Sequence, residues 1–333
     1  MQLQLKNIGM IKEADVKIDG LTVIAGENDT GKSTLSKALF YGLDIIRRSH
    51  HQKDIRSLLI STKIFDVDIL FGKNIDFLEN IEINLIIEGQ LVNPKLGLET
   101  SQSKIIEESK EIKYIPKITF IETPTIWSFI ETFKNISQVA QQLAIEINHP
   151  YLMNDLSIKL SNRSVQDNSI VNITDDIKSI IDGSFKKDDK GIFYFEKNSK
   201  RIELINTATG IKSFGILQVL SDNGWLQEKN IIVFDEPEVH LHPKWQLEMA
   251  KVIVELVKNG VKVLVNSHSP YMIEALERYA ERAEVTVDFY LAEDGFINKI
   301  EDSNSKTLAK TFNKLSAPYK TFNQMDSEIL KGG

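Results

Sequence analysis

The sequence predicts an α/β protein with a mainly parallel sheet, an N-terminal antiparallel β lobe and an inserted helical region. Three observations support this fold class. Residues 21–48 have the pattern of a strand, a glycine-containing loop and a helix in succession. Residues 231–291 alternate strand-like and helix-like segments, which is typical of a parallel sheet covered on both faces. The first 19 residues alternate apolar and polar side chains, which favours antiparallel strands.

The N-terminal segment has the pattern of a β-hairpin. Leu3, Leu5 and Ile8 alternate with polar residues, and Val16 and Ile18 continue the alternation after a turn. Such alternation buries one face of an antiparallel pair. We therefore expect two paired strands that lead into the next strand of the chain.

A phosphate-binding motif follows the segment 21–25, whose apolar and β-branched residues predict a buried strand. The segment 34–48 after it carries apolar residues at helical spacing. A strand, a glycine loop and a helix in this order are the context in which such a motif binds phosphates. The residues assigned to the nucleotide are Gly26, Glu27, Asn28, Asp29, Thr30, Gly31, Lys32, Ser33 and Thr34.

Each residue type in this loop has a chemical use. Gly26 and Gly31 let the backbone turn back without a clash at Cβ. The successive N–H groups then form a nest for anions, and the amino end of the helix adds its unpaired amides. Lys32 is expected to reach the β- and γ-phosphates, and the Ser33 hydroxyl to bind Mg²⁺. The loop therefore predicts a bound nucleotide together with Mg²⁺.

The middle of the chain has fewer clear patterns. Strands are predicted at 81–87 and 118–121. Residues 127–148 carry apolar side chains every three or four positions, as an amphipathic helix does. This helix either packs on a lobe of the protein or forms one arm of a short coiled-coil hairpin.

The segment 150–190 has an irregular pattern, apart from a short helix predicted at 175–182 with Thr174 as its cap. Apolar segments at 192–195 and 201–205 flank a polar turn and predict a hairpin. No internal repeat is present.

The second half of the chain predicts the parallel sheet itself. Strands are expected at 231–234, 261–265 and 285–291, with a helix at 245–258 between the first two. Strands joined by helices require crossover connections, which give parallel neighbours.

Composition restricts the class of protein. The 333 residues are 42% hydrophobic and 26% charged, with no cysteine and a net charge of −7. The chain has no apolar run of the roughly 18 residues that span a bilayer, and its N-terminus lacks a signal-peptide pattern. Without cysteine, disulfides and cysteine-ligated zinc are excluded, which fits a reducing cytoplasm. We therefore expect a cytoplasmic protein that does not enter a membrane, and the negative charge disfavours DNA as a partner.

Polar residues follow two of the predicted strands. Asp235 and Glu236 come directly after 231–234, and His268 follows 261–265. Because the carboxyl ends of parallel strands open onto one ligand crevice, these side chains should meet the phosphate loop there. Asp235 can hold Mg²⁺, Glu236 can polarise the attacking water, and His268 can contact the γ-phosphate.

Two further histidines, His240 and His242, lie at alternate positions after the carboxylate pair. Such a pair could bind a metal ion. No cysteine is present to complete the site, and the neighbouring carboxylates already have an assigned use. We therefore prefer a role for this segment other than metal binding.

These motifs together resemble a known superfamily. Gly-Glu-Asn-Asp-Thr-Gly-Lys-Ser, Phe-Asp-Glu-Pro-Glu-Val-His-Leu-His-Pro and Asn-Ser-His-Ser-Pro are similar to motifs of the ABC-type ATPases of the SMC, RecF and OLD group. The second string is typical of the OLD-like branch that is common among bacterial phage-defence ATPases. The resemblance covers residues 1–48 and 200–295. It implies a P-loop ABC-ATPase head that hydrolyses ATP.

The resemblance also implies a role for each matching position. Lys32 and Ser33 match the phosphate loop, and Asp235 matches the aspartate associated with Mg²⁺. Glu236 matches the catalytic glutamate and His268 the switch histidine. His242 falls where relatives carry the aspartate of the loop that contacts the other subunit.

The family also has a signature segment that binds the γ-phosphate of ATP held by a second subunit. The best match is 207–213, before a helix predicted at 214–220, with Thr209, Gly210 and Lys212 as nucleotide contacts. Ala208 stands where the family has serine, and a single glycine remains. After the strand 118–121 the family has a glutamine that contacts the metal, whereas this chain has Glu122-Thr123-Pro124, which implies slow hydrolysis.

The resemblance implies a head formed by residues 1–48 and 200–300, an inserted β/helical lobe at 49–199, and a polar tail with one helix at 301–333. It further implies a homodimer that shares two ATP molecules. We expect a sensor subunit of an antiviral defence system that controls a separately encoded nuclease or toxin, docked on residues 50–200. Two alternatives remain: a DNA-repair or chromosome-associated ATPase that clamps DNA, and an ATP-sensing scaffold that holds a toxin without hydrolysis.

Overall fold

The computed structural model describes residues 1–51, 82–93, 112–143, 151–165 and 168–317 and has an α/β architecture. The strands are β1 (Gln2–Ile8), β2 (Ile11–Lys17), β3 (Leu21–Ala25), β4 (Glu82–Ile87), β5 (Gln90–Val92), β6 (Ile118–Ile121), β7 (Ser184–Lys187), β8 (Phe193–Lys197), β9 (Lys200–Glu203), β10 (Ile231–Asp235), β11 (Lys262–Ser267), β12 (Val287–Glu293) and β13 (Phe296–Asn298). The α-helices are α1 (Lys32–His51), α2 (Ile126–Leu143), α3 (Tyr151–Ser161), α4 (Thr174–Ile181), α5 (Thr209–Asp222), α6 (Pro243–Lys258), α7 (Pro270–Arg282) and α8 (Asn304–Leu315).

Ten of these strands form one sheet in the order β5-β4-β1-β2-β13-β12-β3-β11-β10-β6. From β12 to β6 every neighbouring pair is parallel. At the other end, β5, β4, β1 and β2 pair in antiparallel fashion. The predicted fold class is therefore confirmed, including the N-terminal hairpin and the mainly parallel half that carries the site.

Apolar side chains cover both faces of the sheet. Alternate residues of β3 belong to different cores: Val23 faces the cluster that includes α6 and α7, whereas Ile24 faces the cluster that includes α1. The neighbouring strand in the sheet, β11, repeats the pattern, with Val265 in the first cluster and Leu264 in the second. Because both faces are buried, apolar residues occupy consecutive positions in these strands instead of alternating strictly with polar residues.

A separate three-stranded sheet, β7-β8-β9, docks on helix α5. The backbone N–H of Phe185 donates to Gln218 Oε1 at 2.8 Å, and Gln218 Nε2 donates back to the Phe185 carbonyl at 3.0 Å. The Phe185 ring lies over Gly215, where an added Cβ would be 2.3 Å from it. The Phe185 ring also stacks on Trp127 of α2, with 5.0 Å between ring centroids. The small sheet is thus fixed to α5 by a glycine contact and a reciprocal pair of hydrogen bonds.

Several sequence predictions for the middle of the chain need correction. The segment predicted as irregular contains α3, in which Leu152, Leu156 and Leu160 are buried at helical spacing. Thr174 is not the cap of α4, because Ile173 occupies that position and the Thr174 hydroxyl donates to Asp222 instead. The hairpin predicted around residue 198 is confirmed by the pairing of β8 with β9.

The long helix predicted at 127–148 is present as α2 up to residue 143, and its remaining positions lie outside the described residues. Strands β4, β5 and β6 fall within the predicted inserted lobe but pair in the large sheet. The division into a head, an inserted lobe and a tail stays a prediction. Among the described helices, none combines the length and apolar character needed to cross a membrane.

Candidate functional site

The predicted phosphate loop connects β3 to α1 at the carboxyl edge of the parallel strands. Gly31 has a φ of +90°, and a Cβ there would lie 2.7 Å from the Ile11 side chain. A Cβ on Gly26 would lie 2.5 Å from the carbonyl oxygen of Ala292 in β12. Both glycines are therefore required by the packing of the loop, since side chains at these positions would displace neighbouring atoms.

Lys32 begins α1, and its side chain turns back into the loop. The Lys32 ammonium donates to the carbonyl oxygens of Gly26 at 3.1 Å and Glu27 at 2.6 Å. The residue is only 4% exposed. Burial lowers the pKa of Lys32, and the nearby carboxylates of Glu236 and Asp235 raise it in part. A buried cation in the loop is the electrostatic partner that polyphosphate requires.

Ser33 and Asp235 meet although 202 positions separate them in the chain. The Ser33 hydroxyl donates to Asp235 Oδ1 at 3.0 Å. The Asn266 amide at the end of β11 donates to the same oxygen at 2.7 Å and to the Ser36 hydroxyl at 2.8 Å. Burial raises the pKa of Asp235, and the hydrogen bonds from Asn266 and Ser33 lower it in part.

This pair of oxygens fits one side of a Mg²⁺ site. Mg²⁺ prefers oxygen ligands and commonly uses one or two protein groups beside phosphate oxygens and water. The described parts of the chain contain no group of three or more histidine and carboxylate side chains arranged around a metal. His242 instead caps α6, where its Nδ1 accepts from the Lys244 backbone N–H at 3.3 Å. The geometry supports Ser33 and Asp235 as ligands and gives His242 a structural use.

Glu236 and His268 lie side by side at the ends of β10 and β11. Glu236 Oε1 is 3.2 Å from His268 Nδ1. The Glu236 backbone is in the left-handed region, with φ at 53°, and its N–H donates to the carbonyl oxygen of Asn266 at 3.0 Å. A non-glycine residue in this conformation is held there by its surroundings, and such strain is concentrated at functional sites. The structure therefore brings together the predicted base and the predicted switch histidine.

A cavity of about 290 Å³ lies beside these groups. It joins the phosphate loop to the carboxylate pair and to α5, and its walls include Ser33, Glu122, Thr123, Ser213, Asp235 and Glu236. Glu122, at the position where a glutamine is expected, thus lies in the same cavity as the carboxylate pair. A larger cavity of about 650 Å³ between α4 and α6 contains none of the predicted site residues.

The predicted signature segment forms the first turn of α5, which begins at Thr209 and not at residue 214 as predicted. The N-cap residue, Ala208, provides no side-chain hydrogen bond to the helix. Gly210 is buried, and a Cβ there would lie 2.9 Å from the Trp245 ring. The Lys212 carbonyl accepts from the indole of α2. The helix therefore presents an uncapped amino end, which suits the binding of an anion.

Sequence analysis missed three residues of the site: Glu238, Asn266 and Ser36. Asn266 and Ser36 are both fully buried, and their contact depends on the tertiary fold. Glu238 was quoted within the second motif, but no role was assigned to it. Its burial has no clear signal in the sequence, because the residues around it include Asp235, Glu236 and His240.

The order of the strands defines the class of protein. The strand that leads into the phosphate loop, β3, is separated by β11 from the strand that carries the Asp-Glu pair, β10. With the loop, the Ser33–Asp235 contact and the Glu236–His268 contact, this arrangement is that of a P-loop ATPase. Residues 21–274 match the family described as "AAA domain, putative AbiEii toxin, Type IV TA system", and the chain belongs to this family. This match confirms the resemblance drawn from the motifs.

Two kinds of relatives are found among known proteins. The chain is 21% identical over 299 residues to a Septu protein PtuA from Bacillus thuringiensis, over 82% of this chain and 72% of that protein. Similar solved structures include an SmcHead bound to the C-winged helix domain of ScpA (15% identity, 90% of this chain and 96% of that chain, TM-score 0.48). Another is an Smc head domain with an extended coiled coil, bound to the C-terminal domain of ScpA, from Pyrococcus furiosus (13%, 90% and 95%, TM-score 0.49).

Proposed function

We propose that this protein binds and hydrolyses ATP, closes into a homodimer when ATP is bound, and regulates a separately encoded effector in antiviral defence. The observation that carries the ATPase proposal is the convergence of four groups at the carboxyl edge of the parallel strands. Ser33 lies 3.0 Å from Asp235, and Glu236 lies 3.2 Å from His268. These contacts join the phosphate loop to the ends of two other strands.

Each group has a role in the proposed reaction. The loop amides and Lys32 bind the phosphates, and Ser33 with Asp235 would hold Mg²⁺, which supplies charge neutralisation on the phosphate oxygens when bound. Glu236 orients a water molecule for attack on the γ-phosphorus, and His268 contacts the γ-phosphate. Hydrolysis then depends on positioning and electrostatics, with no covalent intermediate.

The dimer proposal depends on the amino end of α5. Thr209 and Gly210 would bind the γ-phosphate of ATP held by the other subunit. The lack of a side-chain cap at Ala208 supports this role, because the first amides of the helix are available to an anion. ATP would then favour the closed dimer by binding it better than the separate subunits, and hydrolysis would release it.

The similarity to a Septu protein supports a role in phage defence. In the proposed system the effector, a nuclease or toxin, docks on the region between residues 50 and 200 and responds to the state of the dimer. A second candidate is an ATP-sensing scaffold that holds a toxin without hydrolysis. Glu122 favours this candidate, because a carboxylate stands beside Asp235 and Glu236 in place of the expected glutamine.

The test uses purified full-length protein, Mg²⁺ and ATP. Lys32→Ala should abolish ATP binding in calorimetry, whereas Lys258→Ala, at the exposed end of α6, serves as the matched control. Wild-type affinity in Lys32→Ala would refute the assigned loop. Glu236→Gln should accumulate an ATP-bound dimer in light scattering, and a monomer at saturating ATP would count against the shared site.

Turnover separates the two candidates. Phosphate release that depends on Glu236 supports the enzyme, and ATP binding without phosphate release supports the scaffold. A third possibility, a DNA clamp, predicts salt-dependent binding of duplex DNA by the wild type. The net charge of the protein, −7, does not favour DNA binding.

A further inference from the structure

Glu238 is a buried carboxylate beside the candidate site that none of the roles above uses. It lies in the turn between β10 and α6 and is 4% exposed. A buried carboxylate is unfavourable unless other groups donate hydrogen bonds to it. The groups that donate hydrogen bonds to Glu238 therefore indicate its role.

One oxygen of Glu238 accepts three hydrogen bonds from a single turn. Oε1 accepts from the Ser267 hydroxyl at 2.7 Å, from the His268 backbone N–H at 2.9 Å and from the Ser269 backbone N–H at 3.1 Å. Three donors on one oxygen are matched to a full negative charge, and hydrogen bonds to an ionised acceptor are the stronger kind. The turn that carries the switch histidine is therefore built around this carboxylate.

The same turn is held from its other side. The Ser269 hydroxyl donates to Gln246 Oε1 at 2.8 Å, and Gln246 Nε2 donates to the Leu241 carbonyl at 3.2 Å. Ser267 and Ser269 are buried, whereas the His268 side chain is 38% exposed. The backbone of the turn is thus fixed at both ends, and the imidazole is its exposed part.

Glu238 also faces the imidazole itself. Its Oε1 is 3.5 Å from His268 Nδ1, which lies 3.2 Å from Glu236 Oε1. Nδ1 is buried and makes no hydrogen bond among the described residues, so both distances are close approaches only. Glu238 therefore holds the turn through the Ser267 hydroxyl and the two backbone N–H groups, while its carboxylate also borders the ring.

We propose that Glu238 is a positioning residue for His268, acting through the backbone of the 267–269 turn. The role rests on the proposed ATPase function. It predicts a specific defect, because a displaced histidine impairs hydrolysis while the phosphate loop still binds ATP. A misplacement of about 1 Å can reduce a rate about 100-fold.

The first experiment measures ATP turnover and nucleotide affinity separately. Glu238→Ala should lower kcat about 100-fold, and its affinity for the non-hydrolysable analogue AMP-PNP should remain within about threefold of wild type. Glu238→Gln, which keeps an acceptor oxygen but not the charge, should be intermediate. Glu274→Ala is the matched control, because this exposed glutamate follows the same turn and pairs only with Arg278 among the described residues.

A double-mutant cycle with His268→Ala separates positioning from general support of the fold. If Glu238 acts through the histidine, then Glu238→Ala should reduce turnover little further once His268 has been removed. Fully additive losses would overturn the proposal, and so would wild-type turnover in Glu238→Ala. Thermal melts show whether each variant is folded, and Glu238→Gln replaces Glu238→Ala in the cycle if the alanine variant unfolds.

A spectroscopic measurement tests the role of Glu238 independently of the proposed ATPase function. If the wild type hydrolyses no more ATP than Lys32→Ala, the ATPase proposal fails. The positioning of His268 is then judged from the ¹H–¹⁵N signal of its backbone amide, which donates to Glu238 Oε1. Glu238→Gln should shift this signal and increase exchange at the Ser269 amide. Spectra identical to wild type would overturn the proposed role of Glu238.

Discussion

Replacing Asn266 by leucine tests the electrostatics of the site without removing a predicted catalytic group. Asn266 is fully buried and donates to Asp235 Oδ1 at 2.7 Å and to the Ser36 hydroxyl at 2.8 Å. Leucine has a similar size but no donor. The variant therefore keeps the shape of the core and leaves Asp235 with the Ser33 hydroxyl as its remaining hydrogen bond within the described site.

The expected change in the free energy of unfolding follows from the charge on Asp235. A hydrogen bond to an ionised group contributes about 1.5–3 kcal/mol, and the neutral bond to Ser36 adds about 1 kcal/mol. Asn266 Oδ1 is buried without a partner among the described residues, so its removal adds no further loss. We expect the free energy of unfolding to fall by about 2–4 kcal/mol at pH 8.

The loss of stability in Asn266→Leu should become smaller as the pH falls. Burial already raises the pKa of Asp235 above its ordinary value, and loss of the Asn266 donor raises it further. A carboxyl with a raised folded-state pKa opposes folding only while it is ionised, so protonation relieves the strain as the pH falls through that pKa. The difference between variant and wild type should therefore be full at pH 8 and shrink towards about 1 kcal/mol in acid.

Urea unfolding followed by tryptophan fluorescence, without nucleotide, measures this difference from pH 8 downwards through the raised pKa of Asp235. Ser36→Ala is the matched control, because it removes the neutral partner of Asn266 and should cost about 1 kcal/mol at every pH. If Asn266→Leu destabilised the protein equally at both ends of this range, the amide would not be compensating a buried charge.

Gly26→Ala should weaken ATP binding at least tenfold, because its Cβ would lie 2.5 Å from the Ala292 carbonyl; calorimetry with wild-type affinity would contradict this. Gly215→Ala, whose Cβ would lie 2.3 Å from the Phe185 ring, should lower the free energy of unfolding by about 1–3 kcal/mol in urea titrations, and an unchanged midpoint would show that the ring moves freely. Hydrogen bonds from two lysines of α8 lower the pKa of Glu293, so its contribution is present at neutral pH and lost as the pH falls through that lowered pKa. Glu293→Gln should thus cost about 0.5–1 kcal/mol at pH 7 and nothing below that lowered pKa, and an acid-resistant difference would oppose the assignment.

Local patterns were sufficient to predict the parallel half of the fold. Strands 231–234 and 261–265 are short, apolar and β-branched, and polar residues follow each of them directly. Because the carboxyl ends of parallel strands share one edge, the proximity of Glu236 and His268 could be expected from the order of elements alone. Their separation of 3.2 Å agrees with this expectation.

Tertiary contacts could not be predicted in the same way. The hydrogen bond between Asn266 and Ser36 joins residues 230 positions apart. No local spacing encodes such a contact. Strand β7 was also missed, because Phe185 is its single buried residue and one apolar position gives no periodicity. Strand β7 forms because β8, the next strand in the sequence, pairs with it and α5 provides a surface on which it packs.

The helix at 151–161, α3, was not predicted for a different reason. Leu152, Leu156 and Leu160 are spaced by four, which is a helical signal that was present but not used. Thr174 was assigned as a cap from its residue type, since threonine is a common N-cap. Its hydroxyl instead bonds Asp222 on α5, so a long-range partner prevailed over the local preference.

The position of β3 has a consequence for how the protein is made. This strand carries the phosphate loop, yet its two neighbours, β11 and β12, come from the last third of the described chain. While a ribosome is still synthesising the first two hundred residues, the loop has no bordering strands and no scaffold. The strand that carries the loop therefore gains both of its neighbours only after residue 293 has been synthesised.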